Sequence, residues 1–256
     1  MRLSRLHIGY ILAASTLMSA SAADFNGVWK LKAGGGGLQD ATMVIERAGD
    51  EVRQRTIGMR GGVEQRSEFK YKTGGESIND FRGTPMKSET KLEANTIEIH
   101  SQAKTSRGEY LATEMWKLSS DGNTMVIQIH SDMAGRGNDS SAVYERAPAS
   151  AAAVFDRPEQ KAGAAYKNIQ ILKDVPVSNF IPVMRRFAGA LGVECEHCHV
   201  ATDFASEEKP AKATARKMLL MAGAINKDHF GGQGAVSCYT CHRGQTKPAT
   251  APPGAQ

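Results

Sequence analysis

From residue 23 to residue 147, apolar and polar residues alternate in short runs: "ATMVIER", "EVRQRTI", "EQRSEFKYK", "PMKSETKLE", "NTIEIHSQ", "EYLATEMWKL" and "NTMVIQIHS". "DFNGVWKLK" opens the series and "SSAVYERA" closes it. A period of two is that of a strand with one face buried, and the intervening "AGDE", "TGGES", "SSDGN" and "AGRGND" are turn formers. Eight or nine antiparallel strands without helical signal predict an all-β domain over 23–147, an antiparallel barrel or sandwich.

The opening Gly27-x-Trp29 resembles the first strand of lipocalin and fatty-acid-binding barrels, which implies a barrel with Trp29 as a plug near one end. Gly34 to Gly37 read as a flexible loop with no phosphate-binding context behind them.

After residue 147 the period changes. Residues 148–165 are alanine-rich with two prolines and are expected to be a linker. In "VSNFIPVMRRFAGALG", Ser178 is placed to cap a helix whose apolar face runs through Phe180, Met184, Phe187 and Leu191, with Gly192 as its stop. In "EEKPAKATARKMLLMAGAINKDHFGG", acids precede Pro210 in the first turn, Met218, Met221 and Ile225 share a face, and glycines end the helix. A mostly helical domain is therefore expected over 166–245, followed by a proline-rich disordered tail at 246–256.

The N-terminus adds an address. "MRLSRLHIGYILAASTLMSASAADF" has two arginines, an apolar run from Ile8 to Leu17, and Ala20 and Ala22 at a signal-peptidase spacing, so 1–22 reads as a cleaved export signal. The run is shorter than the ~20 residues of a spanning helix, and the mature chain is not expected to be an integral membrane protein. The expected location is periplasmic or otherwise exported. Residues 24–147 hold 17 basic and 18 acidic side chains and residues 148–256 hold 13 and 9, too mild an excess for a nucleic-acid partner.

All four cysteines lie in two copies of Cys-x-x-Cys-His, namely Cys195, Cys198 and His199, and Cys238, Cys241 and His242. At i, i+3 and i+4 on a helical turn, two thiols and an imidazole share one face. The thiols can add to the two vinyl groups of one haem while the imidazole becomes an axial ligand, so the motif is that of c-type haem attachment and two covalently bound haem c are expected. A four-cysteine zinc site gives no reason for a histidine after each pair, and a thioredoxin-like dithiol needs only one pair near a strand-helix-strand pattern. The second axial ligand decides the function: a strong one closes the iron for electron transfer, and a missing one opens it to small molecules. Each cluster follows a helix that carries methionine. Spacing alone does not separate Met218 from Met221, and His229 is a further alternative for the second haem.

"YKNIQILKDVPVSNFIPVMRRFAGALGVECEHCH", "DFASEEKPAKATARKMLLMAGAINKDHF" and "VSCYTCHRG" together resemble the first haem pair of the cytochrome c subunit of photosynthetic reaction centres, over about residues 166–244. The resemblance implies that Met184 is the axial partner of His199, that Met218 is the partner of His242, and that Met221 is a packing residue. Arg243 is the preferred contact for a haem propionate, ahead of Arg185, Arg186, Arg216 and Lys217. His100 and His130 lie in strand runs and His197 is a spacer within its motif, so none of these is assigned to iron.

The expected function is that of an exported diheme electron carrier, not an enzyme, passing single electrons between a redox donor and acceptor, with a membrane complex among the candidate partners. The alternatives are a diheme oxidoreductase or peroxidase with an open iron, and ligand or partner binding by the barrel coupled to the haems.

Overall fold

The structure is a computed structural model that describes residues 24–81, 83–105 and 108–251; the export signal expected at 1–22 and residues 252–256 of the expected tail lie outside the described residues. Ten strands follow in chain order: β1 (Gly27–Gly34), β2 (Gln39–Ala48), β3 (Glu51–Arg60), β4 (Val63–Lys72), β5 (Glu76–Phe81), β6 (Thr84–Glu93), β7 (Thr96–Thr105), β8 (Gly108–Leu118), β9 (Thr124–Met133) and β10 (Arg136–Ala147). They form one sheet ordered β4-β3-β2-β1-β10-β9-β8-β7-β6-β5, with every hydrogen-bonded neighbour antiparallel. Pairing of the first strand with the last rolls this meander into a barrel, which settles the choice between barrel and sandwich.

The two edges, β4 and β5, meet through a side chain rather than a ladder. Asn79 Oδ1 accepts from the Lys70 backbone N–H at 2.8 Å, and its Nδ2 donates to the Lys70 carbonyl at 3.0 Å. β5 is the strand that the alternation did not resolve, because it is only six residues long and this inward position is polar.

The barrel core contains Trp29, Ile45, Val52, Tyr71, Ile99 and Trp116, all essentially inaccessible. Trp29 Nε1 donates to the Phe25 carbonyl at 3.0 Å, and the Arg146 guanidinium lies 4.3 Å over its ring. Burial pushes the Glu114 carboxyl above its usual range, opposed by a 3.0 Å bond from Trp116 Nε1.

The alternation fails in β2, where Ala41 to Ile45 are all buried. The reason lies in the stretch expected as a linker. Ala149–Asp156 forms a 3-10 helix against β1 and β2 on the outside of the barrel, and Phe155 lies under the Arg55 guanidinium at 5.1 Å. Val44 and Ile57, which face away from the core, are buried as well. The stretch continues by bonding twice to β4. Gln160 Oε1 accepts from the Glu64 N–H of β4 at 2.9 Å, and Arg66 Nη2 donates to the Arg157 carbonyl at 2.9 Å.

Four helices follow: α1 (Ala162–Ala165), α2 (Val177–Leu191), α3 (Pro210–His229) and α4 (Cys238–His242). Ser178 does not cap α2 as expected. It sits in the first turn behind the N-cap Pro176, and its N–H donates to Glu159 Oε1 at 2.6 Å, while Val177 N–H donates to the Gln160 carbonyl at 3.0 Å. A carboxylate from an earlier segment thus does the work expected of the local hydroxyl. Pro182 lies inside α2, where it removes one helix donor. Its Cα would lie 3.5 Å from a Cβ on Gly83, so the β5–β6 turn of the barrel rests against this helix. Gly192 stops α2 in the left-handed region, at φ 67°.

Candidate haem-attachment site

α2 ends four residues before the first cluster, and α3 precedes the second. The two clusters fold differently. Cys195–His197 is a single 3-10 turn after Glu194, which makes no side-chain cap, and His199 lies just beyond it with its N–H on the Cys195 carbonyl at 3.0 Å. Cys238–His242 is a short α-helix because Ser237 and Thr240 form a reciprocal capping box at its start. Both arrangements wind the pair of thiols and the imidazole around one turn of backbone.

The two histidines are anchored alike. His199 Nδ1 lies 3.0 Å from the Phe204 carbonyl oxygen, and His242 Nδ1 lies 3.0 Å from that of Gln245. A carbonyl only accepts, so each Nδ1 carries a proton, and the neutral imidazole with this hydrogen bond has its lone pair on Nε2. That is the tautomer of a metal-bound imidazole held by a backbone oxygen. The Phe204 ring stacks on His199 with centroids 5.1 Å apart.

None of the four cysteines is in a disulfide; Cys241 is exposed and the other three are half-buried. Burial pushes the Cys198 thiol up, and the neighbouring Cys195 adds to this. The donor set and its surroundings fit haem. Besides the thiols and imidazoles, α3 buries only Lys212 and leaves Met218, Leu220 and Met221 at 39%, 61% and 48% exposure, an apolar surface of the kind a porphyrin covers. Met184 is half-buried on α2.

α2 joins the two clusters. It touches both turns, and its C-terminal end receives the Gly244 N–H on the Ala190 carbonyl at 2.9 Å. Arg243 is exposed, with a left-handed backbone at φ 50°. Arg216 is already occupied: its Nη1 and Nη2 hold the Glu207 carboxylate at 2.6 and 2.7 Å, which with Asn168 keeps that carboxyl at about 2. His229 is exposed at the end of α3. His100 lies on the barrel's outer face between Glu98 and Thr113, and His130 beside Asp139.

Sequence reasoning passed over Phe204, Lys212 and Gln245, which hold or adjoin the imidazoles. Phe204 and Gln245 act through backbone oxygens, and Lys212 donates to backbone oxygens, so none carries a motif. Among the described residues, no helix is long and apolar enough to cross a membrane.

A helical unit bearing two thiol-pair and histidine turns, with each imidazole held by a backbone oxygen, is that of a c-type cytochrome, a protein with covalently attached haem. The chain belongs to the family described as photosynthetic reaction centre cytochrome C subunit, which matches residues 106–251. It is 36% identical over 98 residues to the photosynthetic reaction center cytochrome c subunit of Thermochromatium tepidum, covering 36% of this chain and 24% of that one. It is also 37% identical over 81 residues to cytochrome c-554 of Chloroflexus aurantiacus, covering 29% of this chain and 20% of that one. The chain thus spans about a quarter or less of the length of these relatives. Among solved structures, a secretory abundant heat soluble protein of Ramazzottius varieornatus is similar, with 11% identity and a TM-score of 0.40, covering 50% of this chain and 98% of that one.

Proposed function

We propose that this protein is an exported diheme c-type cytochrome that passes single electrons between two redox partners, with a membrane complex among the candidates. Cys195 and Cys198 hold one haem and Cys238 and Cys241 the other. His199 and His242 each provide one axial ligand, and Met184 and Met218 the second. The observation that carries this reading is the matched anchoring of the two imidazoles, each with Nδ1 on a backbone carbonyl at 3.0 Å.

Haem bound in this way supplies a one-electron ferric/ferrous couple, with a potential raised by thioether ligation relative to bis-histidine ligation. The residues do the rest. The thiols would fix the position of the ring by two covalent bonds, and the backbone anchors at Nδ1 would keep each imidazole from rotating away from iron. Met184 and Met218 would supply the second ligand of each haem iron and so keep water and small ligands off it. The apolar side of α3 excludes solvent around the second site, while Arg243 is the side chain offered to a propionate. The barrel supports α2 through Glu159, Gln160 and the Gly83 turn. The division into a barrel domain at 23–147 and a diheme domain at 166–245 belongs to the same proposal.

The test is spectroscopic. Mass spectrometry and haem quantitation of the exported protein should give two haems per chain. The weak red absorption of ferric methionine-ligated haem should fall by about half in Met184→Ala and in Met218→Ala and be unchanged in Met221→Ala. Rapid carbon monoxide binding to the reduced wild type at neutral pH would refute the closed, six-coordinate sites.

A further inference from the structure

The two histidine anchors are alike in length but not in what else touches the anchoring oxygen. The Phe204 carbonyl that takes the His199 Nδ1 proton also accepts from Lys212 Nζ at 2.9 Å. The same ammonium donates to the carbonyls of Ala205 at 3.0 Å and Ser206 at 2.8 Å, so all three of its protons are used. Lys212 is 8% exposed and is the one buried residue of α3. Among the described residues, the Gln245 carbonyl that anchors His242 accepts from the imidazole alone. Two units built on the same motif therefore differ by one buried cation at the histidine.

The chemistry follows from the shared oxygen. How far an axial imidazole donates to iron depends on how strongly its distal N–H is held, and a strong acceptor gives it imidazolate character that favours the ferric state. A cation on the same carbonyl draws off electron density and weakens that acceptor. Its charge also acts directly. Nζ is no farther than about 6 Å from Nδ1, given its 2.9 Å and the imidazole's 3.0 Å to one oxygen, and positive charge at such range disfavours oxidised iron. Both effects have the same sign.

The surrounding charges decide how much survives. Glu207 Oε1 lies 3.4 Å from Nζ and opposes the ammonium, but the same carboxylate is held by both Arg216 nitrogens. Lys212, Glu207 and Arg216 together leave one net positive charge beside the first histidine.

We propose that Lys212 is a positioning residue of the first haem: by fixing and polarising the Phe204 carbonyl that orients His199, it raises that haem's reduction potential relative to the second haem's. This rests on His199 being an axial ligand. The full-length holoprotein tests it by spectroelectrochemical titration of both midpoints, with the Cys195→Ala/Cys198→Ala protein reporting which midpoint belongs to the second haem. Lys212→Met should shift the one-electron equilibrium of the first haem toward the ferric form on the order of tenfold, about 59 mV, and leave the second in place. Glu207→Gln, which removes the opposing charge, should move the first midpoint the other way. A structural role alone would not give opposite signs. First-haem midpoints unmoved in both variants, or lowered in both, would overturn the role of Lys212. If Lys212→Met does not assemble, the sign of the Glu207→Gln shift decides. Magnetic circular dichroism of the wild type separates the two readings: absence of histidine ligation at the Cys195 turn overturns the ligand assignment itself, whereas normal ligation with unmoved midpoints overturns only the tuning by Lys212.

Discussion

Replacing Gly192 by alanine attacks the contact that seats the second cluster on the helix of the first. Gly192 ends α2 at φ 67°, and a Cβ built there would lie 2.1 Å from the Gly244 carbonyl oxygen and 3.0 Å from its carbon. Two costs arise. A non-glycine residue in the left-handed region costs about 1–2 kcal/mol. The overlap with backbone must also be relieved by moving α4 away from α2, which breaks the 2.9 Å bond from Gly244 N–H to the Ala190 carbonyl and loses about 1 kcal/mol more. Stiffening of the unfolded chain returns up to about 1 kcal/mol, leaving a net loss of about 2 kcal/mol. For a helical unit of the size expected at 166–245, that lowers the midpoint by on the order of 10 °C. Calorimetry of the holoprotein measures it, with two companions that separate the causes. Gly192→Asn removes most of the dihedral penalty and keeps the overlap, so it should still lose stability. Gly189→Ala, inside α2 with open space around it, should be neutral or gain up to about 1 kcal/mol. A Gly192→Asn protein as stable as wild type would refute the close seating of α4 on α2.

The connection between barrel and helices gives a second prediction: Gln160→Ala should leave the Glu64 N–H without its partner, cost about 1–2 kcal/mol, and raise hydrogen exchange at Glu64; unchanged exchange there would count against the link. The third concerns acid. Glu207 is held at about 2 in the folded protein, chiefly by Arg216, below its ordinary value near 4.5, so its stabilisation is complete above pH 4.5 and is lost as pH falls toward 2. Wild type should therefore exceed Glu207→Gln in unfolding midpoint at neutral pH and converge with it near pH 2. A gap that stayed constant from pH 6 to pH 2 would refute the pairing.

The barrel was legible because alternation and turn chemistry are local, and nine of its ten strands carry them. β5 was not, since its inward Asn79 is polar and acts on the backbone of β4. The cysteines and histidines were legible because attachment chemistry fixes their spacing. Their supports were not, because the anchors are carbonyls of Phe204 and Gln245, which any residue could supply, and Lys212 reads like any helix-surface lysine. Ser178 shows the opposite failure: a residue of the right type for a cap, displaced by Glu159, nineteen positions earlier, once the chain had folded back.

These supports bear on why a barrel precedes the haem turns at all. α2 is held near its start by the Glu159 carboxylate and the Gln160 carbonyl, and Gln160 is itself bound to β4. Pro182, two residues before Met184, lies against the turn at Gly83. The far end of α2 carries Gly192 and receives Gly244, so one helix runs from the barrel wall to both cluster turns. A site on a rigid, doubly anchored helix keeps its ligands in register better than one on a free loop. Electron transfer gains from that, since a ligand set that does not move between ferric and ferrous states leaves little to reorganise. On this argument the barrel fixes Met184, the proposed ligand of the first haem, and, through α2, the position of the first cluster relative to the second. A ligand inside the barrel is not needed for this role, and the wall that matters is the β4 edge, where Glu64 and Arg66 bind residues 157–160.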